Sequence, residues 1–110
     1  MAKLGTVTFT GASGKSYKFN VYSWDTGFNA VAGVYAVTKR YKGSGGGYKH
    51  KVVYVGETGD LSGRFDGHHK ADCFERENAN CKCTYREDTE STRQRIERDL
   101  IEKYDPECND

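Results

Sequence analysis

Two short strings set tyrosines against glycines, Gly33-Val34-Tyr35 and Tyr54-Val55-Gly56. Each lies in a β-like apolar run. A glycine lets another backbone or a ligand approach closely, and a tyrosine beside it can carry chemistry. Arg64 follows with a planar fork of donors that matches a phosphate, although the same side chain would also suit a helix-surface ion pair. Glu97 falls within an apolar arc of Ile96, Leu100, Ile101 and Tyr104 at helical spacing, while Arg98 and Asp99 face away from it. An acid in an apolar stripe is costly unless it is paired or bound to a metal. Two readings of Glu97 therefore stay open, a ligand or catalyst and a salt bridge to Arg93 one turn back. A carboxylate, a guanidinium and phenols are groups that phosphodiester hydrolysis can use. That reaction needs a nucleophile, neutralised phosphoryl oxygens and a stabilised leaving oxygen.

These side chains need elements to position them. Thr6 to Thr10 and Ser16 to Trp24 alternate about a turn at Gly11–Lys15, which predicts an N-terminal β-hairpin with Tyr17, Phe19 and Val21 on one face. The string Gly11-x-x-Gly14-Lys15-Ser16 is too short for a phosphate-binding loop and lacks a βαβ context. Strands are expected over 33–38 and 51–56, antiparallel, with the glycine-rich stretch Lys42–Tyr48 as their tip. Tyr35 and Tyr54 share a face only if paired residue numbers sum to an odd value, a register that sequence leaves open. Asp60 is placed to cap a helix from Leu61 onward, in which Leu61 and Phe65 are buried and Arg64 and His68 lie one turn apart. Asn78–Asn80 breaks the pattern before a short strand, Cys81–Arg86. A last helix follows, capped by Asp88 or Ser91, with Ser91-Thr92-Arg93-Gln94 as a capping box. It runs to about Tyr104 and ends before Pro106.

At 110 residues, 35% of them hydrophobic and 30% charged, with mean hydropathy −0.85, the chain fits a single folded domain with a modest core. Its net charge of +1 does not announce a nucleic-acid binder. Locally, however, Lys39, Arg40, Lys42, Lys49, His50 and Lys51 form a basic neighbourhood, either a solvated hairpin tip or a phosphate-attracting surface. No apolar run of about 18 residues exists, so no membrane span is expected. Met-Ala-Lys-Leu-Gly lacks the apolar stretch of a signal peptide, so a cytoplasmic protein with reduced thiols is expected.

Taken in order, the two tripeptides, Arg64 ten residues after Tyr54, Glu97 in the last helix and Asn109 twelve beyond it resemble the GIY-YIG endonuclease family. The tracts Tyr54–Arg64 and Ile96–Asn109 carry most of the likeness, which covers Gly33 to Asn109. The resemblance implies an α+β fold with a small, mainly antiparallel central sheet flanked by helices. Residues 33–109 would be the nuclease core within a single domain, 1–110, and residues 1–26 an extra N-terminal hairpin. It implies metal-dependent hydrolysis of phosphodiesters, usually in DNA, with RNA an open alternative, in settings such as DNA repair or mobile elements. It also implies the catalytic set Tyr35, Tyr54, Arg64, His68, Glu97 and Asn109. In that set Tyr35 is the first choice for the base and Tyr54 its partner. Arg64 is on the phosphate, His68 donates to the phosphate or aids the base, and Asn109 orients the site. Glu97 is the main protein ligand of one Mg²⁺ or Mn²⁺ ion, a hard cation that keeps several waters and takes few protein ligands. The stretch between the tripeptides is longer and richer in glycine than is usual in the family. Glu57 stands where some relatives carry lysine.

Cys73, Cys81, Cys83 and Cys108 could hold zinc with His68 or His69, but Cys81-x-Cys83 is tighter than a usual ligand pair, so a structural zinc is not expected. The expected partner is nucleic acid, with a homodimer or a partner protein available to help cut both strands. A different class of function also fits: a nucleic-acid- or protein-binding module that keeps the fold without cutting.

Overall fold

The computed structural model describes residues 3–65 and 68–109. Alternation builds the first hairpin as expected. Strand β1, Lys3–Thr10, pairs antiparallel with β2, Ser16–Ser23. Tyr17, Phe19 and Val21 point into the core, while Lys18 is exposed. Their connecting turn does not serve as a phosphate loop. The Ser13 N–H and hydroxyl both donate to the Asp99 carboxylate of the last helix, at 2.8 Å each, and the Tyr17 hydroxyl donates to it at 2.9 Å. Asp99 thus faces the hairpin and docks it to the helix, contrary to the expectation that it faces away. These bonds also hold its carboxyl below the usual range. Gly11 leaves room for this contact, because a β-carbon there would force the Asp99 carboxylate to shift.

Strands β3, Gly33–Lys42, and β4, Tyr48–Thr58, form the second hairpin. Strand β5, Cys81–Arg86, has the predicted bounds and inserts between the two hairpins, giving one five-stranded sheet in the order β1-β2-β5-β3-β4. All its pairings are antiparallel. The sheet curls enough for Phe9 of β1 to meet His50 of β4 edge to face, with ring centroids 6.4 Å apart.

Among the described residues, two α-helices complete the α+β fold. Helix α2, Glu90–Tyr104, buries Ile96 and Leu100 against Phe9, Phe19, Val34, Ala36 and Val55. It ends where expected: Asp105 takes the left-handed conformation at φ 43° and Pro106 prevents continuation. Its start differs from expectation. Thr89 is the cap residue, without a side-chain cap bond, and Ser91 already lies inside the helix. Arg93 instead donates to the carbonyls of Glu87 and Asp88 at 3.2 and 2.8 Å, which fixes the chain entering the helix. Helix α1, Ala71–Arg76, packs Phe74 on the opposite face of the sheet, with Tyr35, Val37, Val53 and Tyr54. The predicted helix from Leu61 is only a 3-10 turn, Leu61–Gly63, although Asp60 does cap it through the Ser62 N–H. Asn78, at φ 59°, breaks the chain before β5.

The expected set of four free thiols is corrected. Cys73 of α1 is disulfide-bonded to Cys108 in the final 3-10 turn, Glu107–Asn109, whereas Cys81 and Cys83 are free and buried in β5. The turn at Pro106 brings the end of the chain back beside α1. Among the described residues, no helix is long and apolar enough to cross a membrane.

Candidate active site

The register of β3 against β4 sets Tyr35 opposite Gly56 and Val37 opposite Tyr54, sums of odd value, so the two tyrosines share one face. A register shift follows between Val37 and Thr38. The glycines are explained by what passes over them. At Gly56 a β-carbon would stand 2.5 Å from the Tyr35 hydroxyl oxygen, so its absence lets the Tyr35 ring lie across the neighbouring strand. At Gly33 it would stand 2.8 Å from the Tyr85 carbonyl oxygen of β5. The two phenol rings end 6.0 Å apart.

Three further groups converge on Tyr35. The Arg64 Nε–H donates to its oxygen at 3.1 Å, and His68 Nε2 lies 3.0 Å from the same oxygen. His68 Nδ1 accepts the Lys70 backbone N–H at 3.0 Å. A neutral imidazole accepting at Nδ1 carries its proton on Nε2, so His68 is a donor to Tyr35. With two donors on its oxygen, Tyr35 directs its own proton to Tyr54, to which it is hydrogen-bonded. The order is Arg64 and His68 to Tyr35, then Tyr35 to Tyr54. Arg64 and His68 are therefore brought together through a phenol and not by the helical turn expected of them.

Burial sets the electrostatics. Tyr35 has no exposed surface and Tyr54 retains 8%. Desolvation raises both phenols above their usual range, opposed at Tyr35 by the Arg64 hydrogen bond and at Tyr54 by that from Tyr35. His68, desolvated among Tyr54, Phe74 and His69 and facing the charges of Arg64 and Lys70, is pushed down to about 4.

Glu97 reaches the site from α2, on the other side of edge strand β4. Its carboxyl is raised by burial and by the nearby Glu57 charge, against the opposing pull of Arg98, Arg64 and a hydrogen bond from the Glu57 backbone N–H. Asn109 occupies the same strand edge: its side-chain oxygen accepts the Val55 N–H and its amide donates to the Val55 carbonyl, both at 2.9 Å. It orients β4 between Tyr54 and Gly56. The salt bridge weighed between Glu97 and Arg93 is not the one formed. Arg93 pairs with Glu57 at 2.9 Å and is only 5% exposed. The pairing of Glu57 with Arg93 is what sequence reasoning missed, since it set Arg93 against Glu97 and gave Glu57 no partner. The signal was present, since Glu57 follows Gly56 directly and Arg93 sits one helical turn before Glu97.

Among the described residues, no three His, Cys, Asp or Glu side chains gather as a metal cluster. The donor set fits a hard cation held by the Glu97 carboxylate together with water and a substrate oxygen, since Glu57 is engaged by Arg93. It offers no thiolate or multi-histidine cage. Comparison with protein-family models, with curated proteins and with solved structures finds no match to this chain.

Proposed function

We propose that this chain is a GIY-YIG-type nuclease, a divalent-metal-dependent endonuclease that hydrolyses phosphodiester bonds in DNA. One observation carries the reading. Tyr35, Tyr54, Arg64 and His68, distant in sequence, converge on a single hydrogen-bonded network beside Glu97. Arg64 is exposed while its Nε is anchored on Tyr35, which leaves the outer guanidinium nitrogens to take a phosphate. This reading takes Tyr54 as the base in place of Tyr35, the choice that the resemblance favours, and burial supports it. Tyr54 alone of the two has surface, and its oxygen is held by the Tyr35 hydrogen bond. In its phenolate form Tyr54 takes the proton of the attacking water. Because burial raises this phenol, the phenolate forms only when positive charge comes close. Mg²⁺ or Mn²⁺ at Glu97 would supply that charge and polarise a phosphoryl oxygen. Tyr35 and His68 position, and Asn109 holds the strand.

A second reading, a binding module that does not cut, draws on the structural work these groups already do. Glu97 accepts a strand-edge N–H, and Tyr35 fills a buried gap over Gly56. One assay separates the two. Purified protein is incubated with single-stranded, duplex and branched DNA, and with RNA, in Mg²⁺ or Mn²⁺. The nuclease cuts, Glu97→Ala stops cleavage with the circular dichroism unchanged, and Arg64→Ala slows it by about 2–4 kcal/mol of transition-state stabilisation. Wild-type rates from Glu97→Ala would overturn the assignment. Folded wild-type protein that binds without cutting would establish the module.

A further inference from the structure

Positive charge is concentrated in one stretch of the chain. Of the 17 Lys and Arg, five lie within Lys39–Lys51, where none of the 16 Asp and Glu falls, so the remainder of a chain of net +1 is at −4. The fold turns this stretch into a two-stranded arm. Pairing of β3 with β4 continues through Lys39–Lys51, Arg40–His50, Tyr41–Lys49 and Lys42–Tyr48. Pairing of β3 with β5 ends at Thr38–Cys81, beyond which the Asn80 N–H donates to the Thr38 carbonyl at 3.0 Å and the Asn80 side chain bonds the Arg40 backbone.

Two tyrosines stand out on the arm, Tyr41 at 45% exposure and Tyr48 at 59%. Alternation places them on opposite faces. The Arg40 guanidinium carbon lies 3.7 Å from the centroid of the Tyr48 ring, covering one side of a ring that stays largely exposed. The face that carries Tyr35 and Tyr54 continues into Lys39, Tyr41, Lys49 and Lys51. Six residues of strand separate Tyr35 from Tyr41, roughly 20 Å. Lys51 meets Glu77, the residue that follows α1, at 3.2 Å with half its side chain in solvent, a pair that a phosphate can readily exchange.

We propose that the Lys39–Lys51 arm is a binding platform for an unpaired nucleic-acid strand, with its cations on the phosphates and Tyr41 and Tyr48 under the bases. The inference rests on the nuclease reading for its choice of nucleic acid and adds the strandedness of the substrate. Open aromatic planes stack unpaired bases, which a duplex keeps within its own stack. A positive arm on a negative body also confines the strand to the arm by charge.

The test uses the full chain carrying Glu97→Gln, titrated with a fluorescent single-stranded oligonucleotide and with its duplex over a range of salt. The single strand is expected to bind more tightly. Tyr41→Ala or Tyr48→Ala should weaken it about tenfold with the salt slope unchanged. Lys39→Ala or Lys49→Ala should reduce the slope of log K against log salt by about 0.7. Absent binding, equal binding of both forms, or affinity indifferent to the tyrosines overturns the platform. Cleavage by wild-type protein, measured alongside, reports separately on the nuclease. Cutting with arm variants that bind normally removes the platform alone, and arm-dependent binding without cutting removes the nuclease alone.

Discussion

The Lys70 backbone N–H decides where the His68 proton sits, and with it that His68 donates to the Tyr35 oxygen. A histidine held this way is neutral in the fold, with its pKa pushed down to about 4. The unfolded chain binds a proton at this histidine near pH 6.5. Its contribution to stability is therefore complete above pH 6.5, declines as pH falls towards 4, and is absent below that. Thermal unfolding of wild type and His68→Gln over pH 3.5–8 should show the two midpoints converging as pH falls through this window. Parallel curves would mean that His68 titrates alike in both states. The phenols respond in the opposite direction. Burial raises them, so under the proposed nuclease function, with Tyr54 as the base, cleavage should increase with pH across the neutral range.

At the scale of elements, β4 determines the site. It ends the sheet, and an edge strand presents unpaired donors and acceptors. Here Asn109 takes both groups of Val55, and Glu97 takes the Glu57 N–H. Asn109→Ala should cost about 1–3 kcal/mol in chemical denaturation, since two half-buried backbone groups lose their partner. It should also speed amide exchange at Val55 more than at Val37, whose strand keeps a neighbour on each side. An unchanged stability would return Asn109 to solvent. Both hairpins, the bounds of β5 and the helix end at Pro106 were legible in sequence because alternation, glycine and proline act locally. The β3–β4 register was not, because the odd-sum pairing that unites Tyr35 and Tyr54 depends on packing over Gly56. The helix expected from Leu61 shrank to a single 3-10 turn, and the capping box at Ser91 lost to the Arg93 bonds with Glu87 and Asp88. Tertiary partners outweighed local preference at both places.

At the scale of the whole molecule, the Cys73–Cys108 disulfide closes a loop with a sequence separation of 35 that contains β5 and α2. Removing a crosslink of this span costs roughly 2–4 kcal/mol through the entropy of the unfolded chain. Cys73→Ser should lower the thermal midpoint, and a reductant should lower that of wild type equally while leaving the variant unmoved. A reductant-insensitive wild type would show that the bridge contributes nothing. The position of β5 has a consequence in time. The β1–β2 and β3–β4 hairpins each form from neighbouring residues, but the strand that joins them is made last and enters at the centre of the sheet. Pairings between distant residues close slowly. As the chain leaves the ribosome, the inner edges of β2 and β3 are complete and open until residue 86 has emerged. During that interval the chain depends on its own synthesis rate, and on chaperones, to keep two waiting strand edges from pairing with another molecule.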